Sequence, residues 1–440
     1  LYDRYLFSVN GRVDGSSRFG GNNKYGFFPS GSVAWRISEE GFMEPVKAVI
    51  NNLKLRTSYG FTGNTEIGVY ESLATLESNS WTIGNQLVSG FYPNRIPNPD
   101  LKWEKTGQFD IGFDLGLFNN RLRLTADYYY KKTTDLLYNV AIPSASGYDS
   151  MLKNIGSVQN KGYELSIESD NLSGAFSWTT AFNISFNRNK VLELGGETYK
   201  DVGTYDDHLK TSDIRRLIVG QPIGVFYGYR FDGIFQNEAE CAQQTSSPSP
   251  IGVGLRRYKD LNGDGKIDAT NDREILGDAN PKFFGGMTNT FAYRGFELNV
   301  FLQYSYGNKI FNYNAMELES PTGGQNVYQD LVNRWTPTNP SNEYQKATTN
   351  RNNIVSDRFI EDGSFLKLKT VSLSYSFPKL NWKHIGGLRL YVTGQNLLTW
   401  TKYRGYDPEV SYRGASTLEA GEDFGGYPQA RTFMFGIKLD

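Results

Sequence analysis

The sequence predicts an all-β chain forming part of a transmembrane antiparallel β-barrel, with short turns at one end and long loops at the other. Three observations carry that expectation. Apolar and polar residues alternate with a period of two in one run after another, which is how a strand with two unlike faces reads. The connections between runs alternate between short and long. No run of roughly 18 apolar residues is present, so no transmembrane helix is predicted.

The runs number about twelve, and at roughly ten residues each they suit a tilted strand crossing a bilayer. They begin near residues 2, 25, 51, 105, 120, 155, 174, 282, 295, 364, 387 and 429. In the fourth, Phe109, Ile111, Phe113 and Leu115 alternate with Asp110, Gly112, Asp114 and Gly116. In the fifth, Leu122, Leu124, Ala126, Tyr128 and Tyr130 share a face. Tyr163, Leu165 and Ile167 do so in the sixth, and Trp178, Thr180, Phe182, Ile184 and Phe186 in the seventh. The ninth offers Phe296, Leu298, Val300, Leu302, Tyr304 and Tyr306, the eleventh Leu388, Leu390 and Val392, and the last Phe433, Phe435, Ile437 and Leu439. The tenth breaks phase between Leu368 and Val371, which predicts a bulge near Lys369 or Thr370.

Short connections fall near 118–120, 170–174, 293–295 and 379–387, and long ones near 63–103, 134–153, 189–281, 308–362 and 401–427. In a meander this order collects every long loop at one end. A soluble sandwich has no reason to sort its loops so, whereas an outer-membrane barrel does, with its apolar faces toward lipid and its polar faces toward the lumen. Tyr128, Tyr130, Trp400 and Tyr403 then sit where an aromatic girdle belongs. On the lumen side, Asp114 is expected to face Arg121 or Arg123 across the tight turn, as an ordinary cross-strand ion pair.

Composition narrows the function. The 440 residues carry a formal net charge of -1, without the basic excess of a nucleic-acid binder. One cysteine, Cys241, excludes an internal disulfide framework. Two histidines, His208 in a polar loop and His384 in a short turn, leave no catalytic constellation to assemble, so no enzyme is expected. With 29 Tyr and 28 Phe, the chain is hydrophilic on average (mean hydropathy -0.50) yet rich in rings. It does not begin with Met and shows no signal peptide, so a processed or partial chain is expected.

One motif stands out in the longest loop. In "YKDLNGDGKIDATNDREILGD", Asp260, Asn262 and Asp264 occupy positions one, three and five of a calcium loop, with Gly265 at the sharp turn. The carbonyl of Lys266 and the side chains of Asp268 and Asp272 complete a candidate ligand set for a structural Ca2+. Position twelve is Asn271 rather than Glu, and the flanks lead to strands rather than helices, so a sensor hand is not expected. The alternative is an Asp/Asn/Gly-rich turn without metal.

Several stretches resemble the SusC/RagA family of TonB-dependent outer-membrane transporters. They include "GSSRFGGNNKYGFFPSGSVAWRISEEGFM", "NPDLKWEKTGQFDIGFD", "NIGSVQNKGYELSI", "GQPIGVFYGYRFDGIF", "DGSFLKLKTVSLSYSFPK" and "VTGQNLLTWTKYRGYDPEVS". The resemblance implies a barrel of about 22 strands around a plug, of which residues 1–440 supply the C-terminal part. The plug, the TonB-contacting segment and the first strands are then expected outside this chain. One departure is the ending "FGIKLD", where family members often finish on an aromatic residue; whether a residue or two follows is left open.

The implied function is TonB-dependent import of an oligosaccharide or peptide across the outer membrane of a Gram-negative bacterium, with a SusD-like lipoprotein as lid. Loop aromatics that suit substrate contact are Trp81, Tyr92, Tyr313, Trp335 and Tyr406, although packing among loops or against the lid would use the same residues. Two rivals are kept: a self-contained, porin-like barrel, and a soluble, calcium-stabilised carbohydrate-binding β protein.

Overall fold

A computed structural model describes residues 2–141, 148, 150–203, 214–320, 326–349, 353–378, 386–414, 416 and 418–439. His208 and His384 lie outside the described residues.

Twelve strands form one antiparallel sheet in chain order. We label them β1 (Tyr5–Gly15), β2 (Tyr25–Arg36), β3 (Ile50–Asn64), β4 (Glu104–Leu117), β5 (Leu122–Thr134), β6 (Ser157–Leu172), β7 (Phe176–Glu193), β8 (Phe283–Tyr293), β9 (Phe296–Tyr306), β10 (Phe365–Ser376), β11 (Leu388–Thr401) and β12 (Thr432–Leu439). Every expected strand is present, each starting within a few residues of its sequence-based position. The order is linear, so β1 and β12 are its two edges. A two-faced antiparallel sheet in chain order is how a stretch of barrel wall is built.

Chain contacts divide the protein into two compact units, Leu1–Glu168 with Asn187–Thr198, and Ser169–Phe186 with Tyr199–Asp440. In the first, register places Phe7 opposite Val33, Leu55 opposite Phe113, and Phe109 opposite Tyr130, all on one face. That face is open: Val9 is 89% and Phe7 63% exposed. The other face carries Ser8, Ser32, Ser58, Asp110 and Asp127, on the opposite parity of the same strands. A small cluster of Phe19, Ile67 and Leu101 ties the long connections together, and Arg18 donates to the carbonyls of Thr65 and Ile67.

The second unit repeats the two-faced wall. Phe296, Leu298, Val300, Leu302, Tyr304 and Tyr306 line one face of β9, opposite Tyr375, Leu373, Val371, Leu368 and Leu366 of β10 along most of its length. Aromatic rings gather at both ends of this band, Phe296 against Tyr375 and Phe283 against Tyr306. Exposed apolar residues in this quantity match lipid contact and not water. The bulge is where the phase break put it: Phe301 pairs Thr370 and Leu302 pairs Leu368, leaving Lys369 extra.

Tight turns are built from left-handed residues. Phe118, Asn119 and Asn120 all have φ between 54° and 58°, and the Asn51 side-chain carbonyl accepts from the Asn119 and Asn120 amides. Among the described residues no helix is long and apolar enough to cross a membrane.

The long connections of the second unit fold into structure of their own. Tyr199–Val202, Arg215–Ile218, Val225–Tyr229 and Arg273–Asp278 form a four-stranded sheet. Lys309–Asn312 is flanked by Ile360–Asp362 and Glu422–Asp423. Their shared core holds Ile214, Phe226, Phe311, Tyr313, Met316 and Phe359. Period-two reading does not reach such segments, because their strands are two to six residues long.

Candidate functional site

Two parts of the structure concentrate polar and charged side chains, the polar face of the sheet and the loop layer. On the first unit's wall, Arg56 of β3 lies opposite Gly112 of β4, and Gly112 lies opposite Asp127 of β5. The glycine leaves room for the guanidinium to pass over β4 and grip Asp127 with two contacts of 2.7 Å. A Cβ on Gly112 would stand 2.0 Å from Asp127 Oδ1. Asp114 is therefore not paired as the sequence suggested. Its ionic partners are Arg56 at 3.4 Å and Lys54 at 4.0 Å, and the Thr125 hydroxyl opposite donates to it at 3.2 Å, while Arg123 binds Glu168 at 3.0 Å. Asp110 accepts from Ser58 and Gln108. This wall is a run of hydroxyls and satisfied charges, suited to weak, repeated hydrogen bonding with a polar solute.

The loop layer is held by buried ions. Arg215, fully buried, donates from Nε to Glu422 Oε1 at 2.9 Å and to the carbonyls of Gly224 and Ala420, with its guanidinium 4.2 Å from the Phe226 ring. Burial raises the pKa of the Glu422 carboxyl, against the pull of Arg215. Glu319 accepts from Arg358 at 2.7 Å and from Arg404 at 3.3 Å, and Arg404 also donates to Glu361. Burial opposes charge at Arg404, but the two carboxylates outweigh it and raise its pKa.

Lys367, 3% exposed at its side chain, bonds Asp407 Oδ1 and Glu409 Oε2, each at 2.6 Å. Lys369 reaches the same Glu409 oxygen at 3.1 Å, and Gln303 donates to Glu409 Oε1 at 2.8 Å. Burial pushes the Glu409 carboxyl up, yet the lysines win and depress it. A depressed acid stabilises the fold above the ordinary carboxylate range and loses that contribution as pH falls through the depressed value.

The calcium-like loop closes on itself. Asp260 accepts from the Gly263 and Gly265 amides at 2.6 and 2.7 Å, and both glycines have positive φ (77° and 78°). Asp264 accepts from the Lys266 amide, and Asn262 donates to Asp264. Asp268 accepts from the Thr270 and Asn271 amides, which lower its pKa. Asp272 is fully buried and takes the amides of Leu261 and Asp268. The oxygen donors are of the type Ca2+ prefers. Among the described residues, however, no three acidic, histidine or cysteine side chains converge as metal ligands. The carboxylates of this loop are bonded largely to its own backbone amides.

The aromatic candidates scatter. Trp81 and Tyr92 meet edge-on across the hairpin of Thr75–Ile83 and Gln86–Arg95, and the Tyr92 hydroxyl donates to Glu77. Tyr406 is 79% exposed. Trp335 is half-buried and donates to Gln236. Tyr313 is buried in the loop core against Phe311 and Phe424, so it offers no face to a ligand. Tyr403 leaves the girdle as well: it is buried, with its hydroxyl donating to Asp423. The ion clusters at Glu319, Glu422 and Glu409 had no signature in sequence, since their members lie up to 207 positions apart.

Comparison with known proteins points one way. The family model described as TonB dependent receptor-like, beta-barrel matches residues 1–233. TonB-dependent receptor P3 of Formosa agariphila is 41% identical over 99% of this chain and 44% of its own length. TonB-dependent receptor SusC of Bacteroides thetaiotaomicron is 31% identical over 100% of this chain and 42% of its own. A solved chain of the RagAB peptide transporter superposes with a TM-score of 0.82 at 28% identity, covering 99% of this chain and 46% of that one. The chain thus spans less than half the length of the relatives it matches.

Proposed function

Since the chain belongs to the TonB-dependent receptor β-barrel family, on its SusC/RagA side, we propose that it supplies wall and loops to an active importer in the outer membrane. The observation that carries this reading is the two-faced sheet, with an apolar band outside and a wall of hydroxyls and paired charges inside. The long loops are extracellular and the tight turns periplasmic. The cargo is an oligosaccharide or a peptide, a SusD-like lipoprotein caps the mouth, and the plug and TonB contact lie in the remainder of the receptor. The mechanism is movement, not bond chemistry, as the relatives are receptors and transporters.

Deleting the gene in its host should abolish energy-dependent uptake of one labelled cargo class, tested with a glycan panel and a peptide panel. The cargo that is lost names the substrate. Uptake that survives collapse of the proton gradient would instead favour the porin-like rival.

A second reading concerns Asp260–Asp272. We propose that Ca2+ staples this loop, on the strength of the one-three-five spacing and the two left-handed glycines. Binding on the order of 10⁻⁴–10⁻³ M is expected for an extracellular site of this kind. Calorimetric titration of the receptor with calcium should show it, and Asp264→Ala should remove it. Heat release that is the same with and without Asp264 rules the ion out.

A further inference from the structure

The cluster around Glu409 does more than hold a loop in place. Residues 403–409 run from two anchors at one end to a second set at the other. At the first end the Tyr403 hydroxyl donates to Asp423, and Arg404 is bonded to Glu361 and Glu319. At the second end Asp407 and Glu409 meet Lys367, Lys369 and Gln303. Between them Tyr406 stands 79% exposed.

The second anchor is on the barrel's polar face. Lys367 alternates with the lipid-side residues Leu366 and Leu368, and Gln303 alternates with Leu302 and Tyr304. Both lie at the ends of β9 and β10 that join the long connection, which is the mouth. Lys369 is the bulge residue, and it shares the Glu409 oxygen with Lys367. Two lysines at this spacing repel one another unless an anion sits between them, and here the anions come from the loop and not from the wall. The loop's acids thus neutralise the wall's lysines.

We propose that residues 403–409 form a strap held back against the polar wall near the mouth, latched by Glu409 to Lys367 and Lys369, and that its release lets the strap swing away from the wall into the passage. This rests on the importer reading for its purpose, but not for its test. Tyr403, buried and bonded to buried Asp423, marks the fixed end, whereas at the other end Glu409 is partly open to solvent beside the buried Lys367–Asp407 pair and is the contact that lets go first.

The test uses the complete receptor in nanodiscs with a spin label on Tyr406→Cys. The only cysteine of this chain, Cys241, is buried, and the unsubstituted receptor controls for labelling elsewhere. The label should be restrained in the parent and severalfold more mobile with Glu409→Gln, with a smaller gain for Lys369→Met and none for Lys369→Arg. Proteolysis within 403–414 should quicken in the same order. A label equally mobile in all four backgrounds, or equally restrained in all, overturns the latch. Transport is not needed for either readout, so failure of the importer reading would leave this result standing. Lys367 is left untouched because its burial makes misfolding a competing explanation.

Discussion

Glu422→Ala is expected to destabilise the loop layer by about 3–5 kcal/mol, the usual consequence of stranding one member of a buried ion pair. Arg215 has no solvent to turn to: its side chain is 0% exposed, and Glu422 is 2% exposed. The carbonyls of Gly224 and Ala420 would keep two of its hydrogen bonds but cannot neutralise its charge. The pair also joins residues 207 positions apart, linking Arg215–Ile218 to the segment that follows β11. Replacing both residues, Arg215→Met with Glu422→Leu, should recover part of the loss, because a buried apolar pair often does as well as an ionic one. Recovery is partial here because the two carbonyls lose their donor. Limited proteolysis of the loops, alongside thermal unfolding in detergent, reads the effect. A single variant within about 1 kcal/mol of the parent would mean that water reaches Arg215.

Gly112→Val should cost about 2–4 kcal/mol, combining overpacking with the loss of a charge-assisted grip. The new Cβ would meet Asp127 Oδ1 at 2.0 Å and the Ala126 carbonyl at 2.8 Å. Asp127 must swing away, and Arg56 is left with Asp114 alone. The exposure of this pair, 34% and 20% at the side chains, limits the electrostatic share. A cycle with Asp127→Ala separates the two contributions. If the clash acts through Asp127, the double variant should be clearly less damaged than the sum of the singles. Additive losses in urea unfolding would instead place the damage in the Ala126 backbone.

Strands were legible in the sequence because each faces two media. Lipid selects Phe296, Leu298 and Val300 on one side, and the lumen selects Glu297 and Asn299 on the other, so the period survives without any partner. Even the bulge at Lys369 shows as a lost beat. The pairing of Arg56 with Asp127 could not be read, since it spans three strands and depends on a missing side chain between them. Tyr313 and Tyr403 looked like surface aromatics because their surroundings are polar in sequence. Their burial comes from segments such as Phe359 and Asp423, brought in by connections with no period of their own.

The aromatic ends of β9 set a length. From Phe296 to Tyr306 the strand rises about 33 Å at the usual step per residue, and a tilt of roughly 40° projects this to about 25 Å. A hydrophobic slab of that height is thinner than the average bilayer, as outer membranes are. Lipids with short acyl chains therefore match it without compressing, whereas a thick, sterol-rich bilayer would have to thin locally around it. The strand's length by itself thus suits a thin membrane better than a thick one.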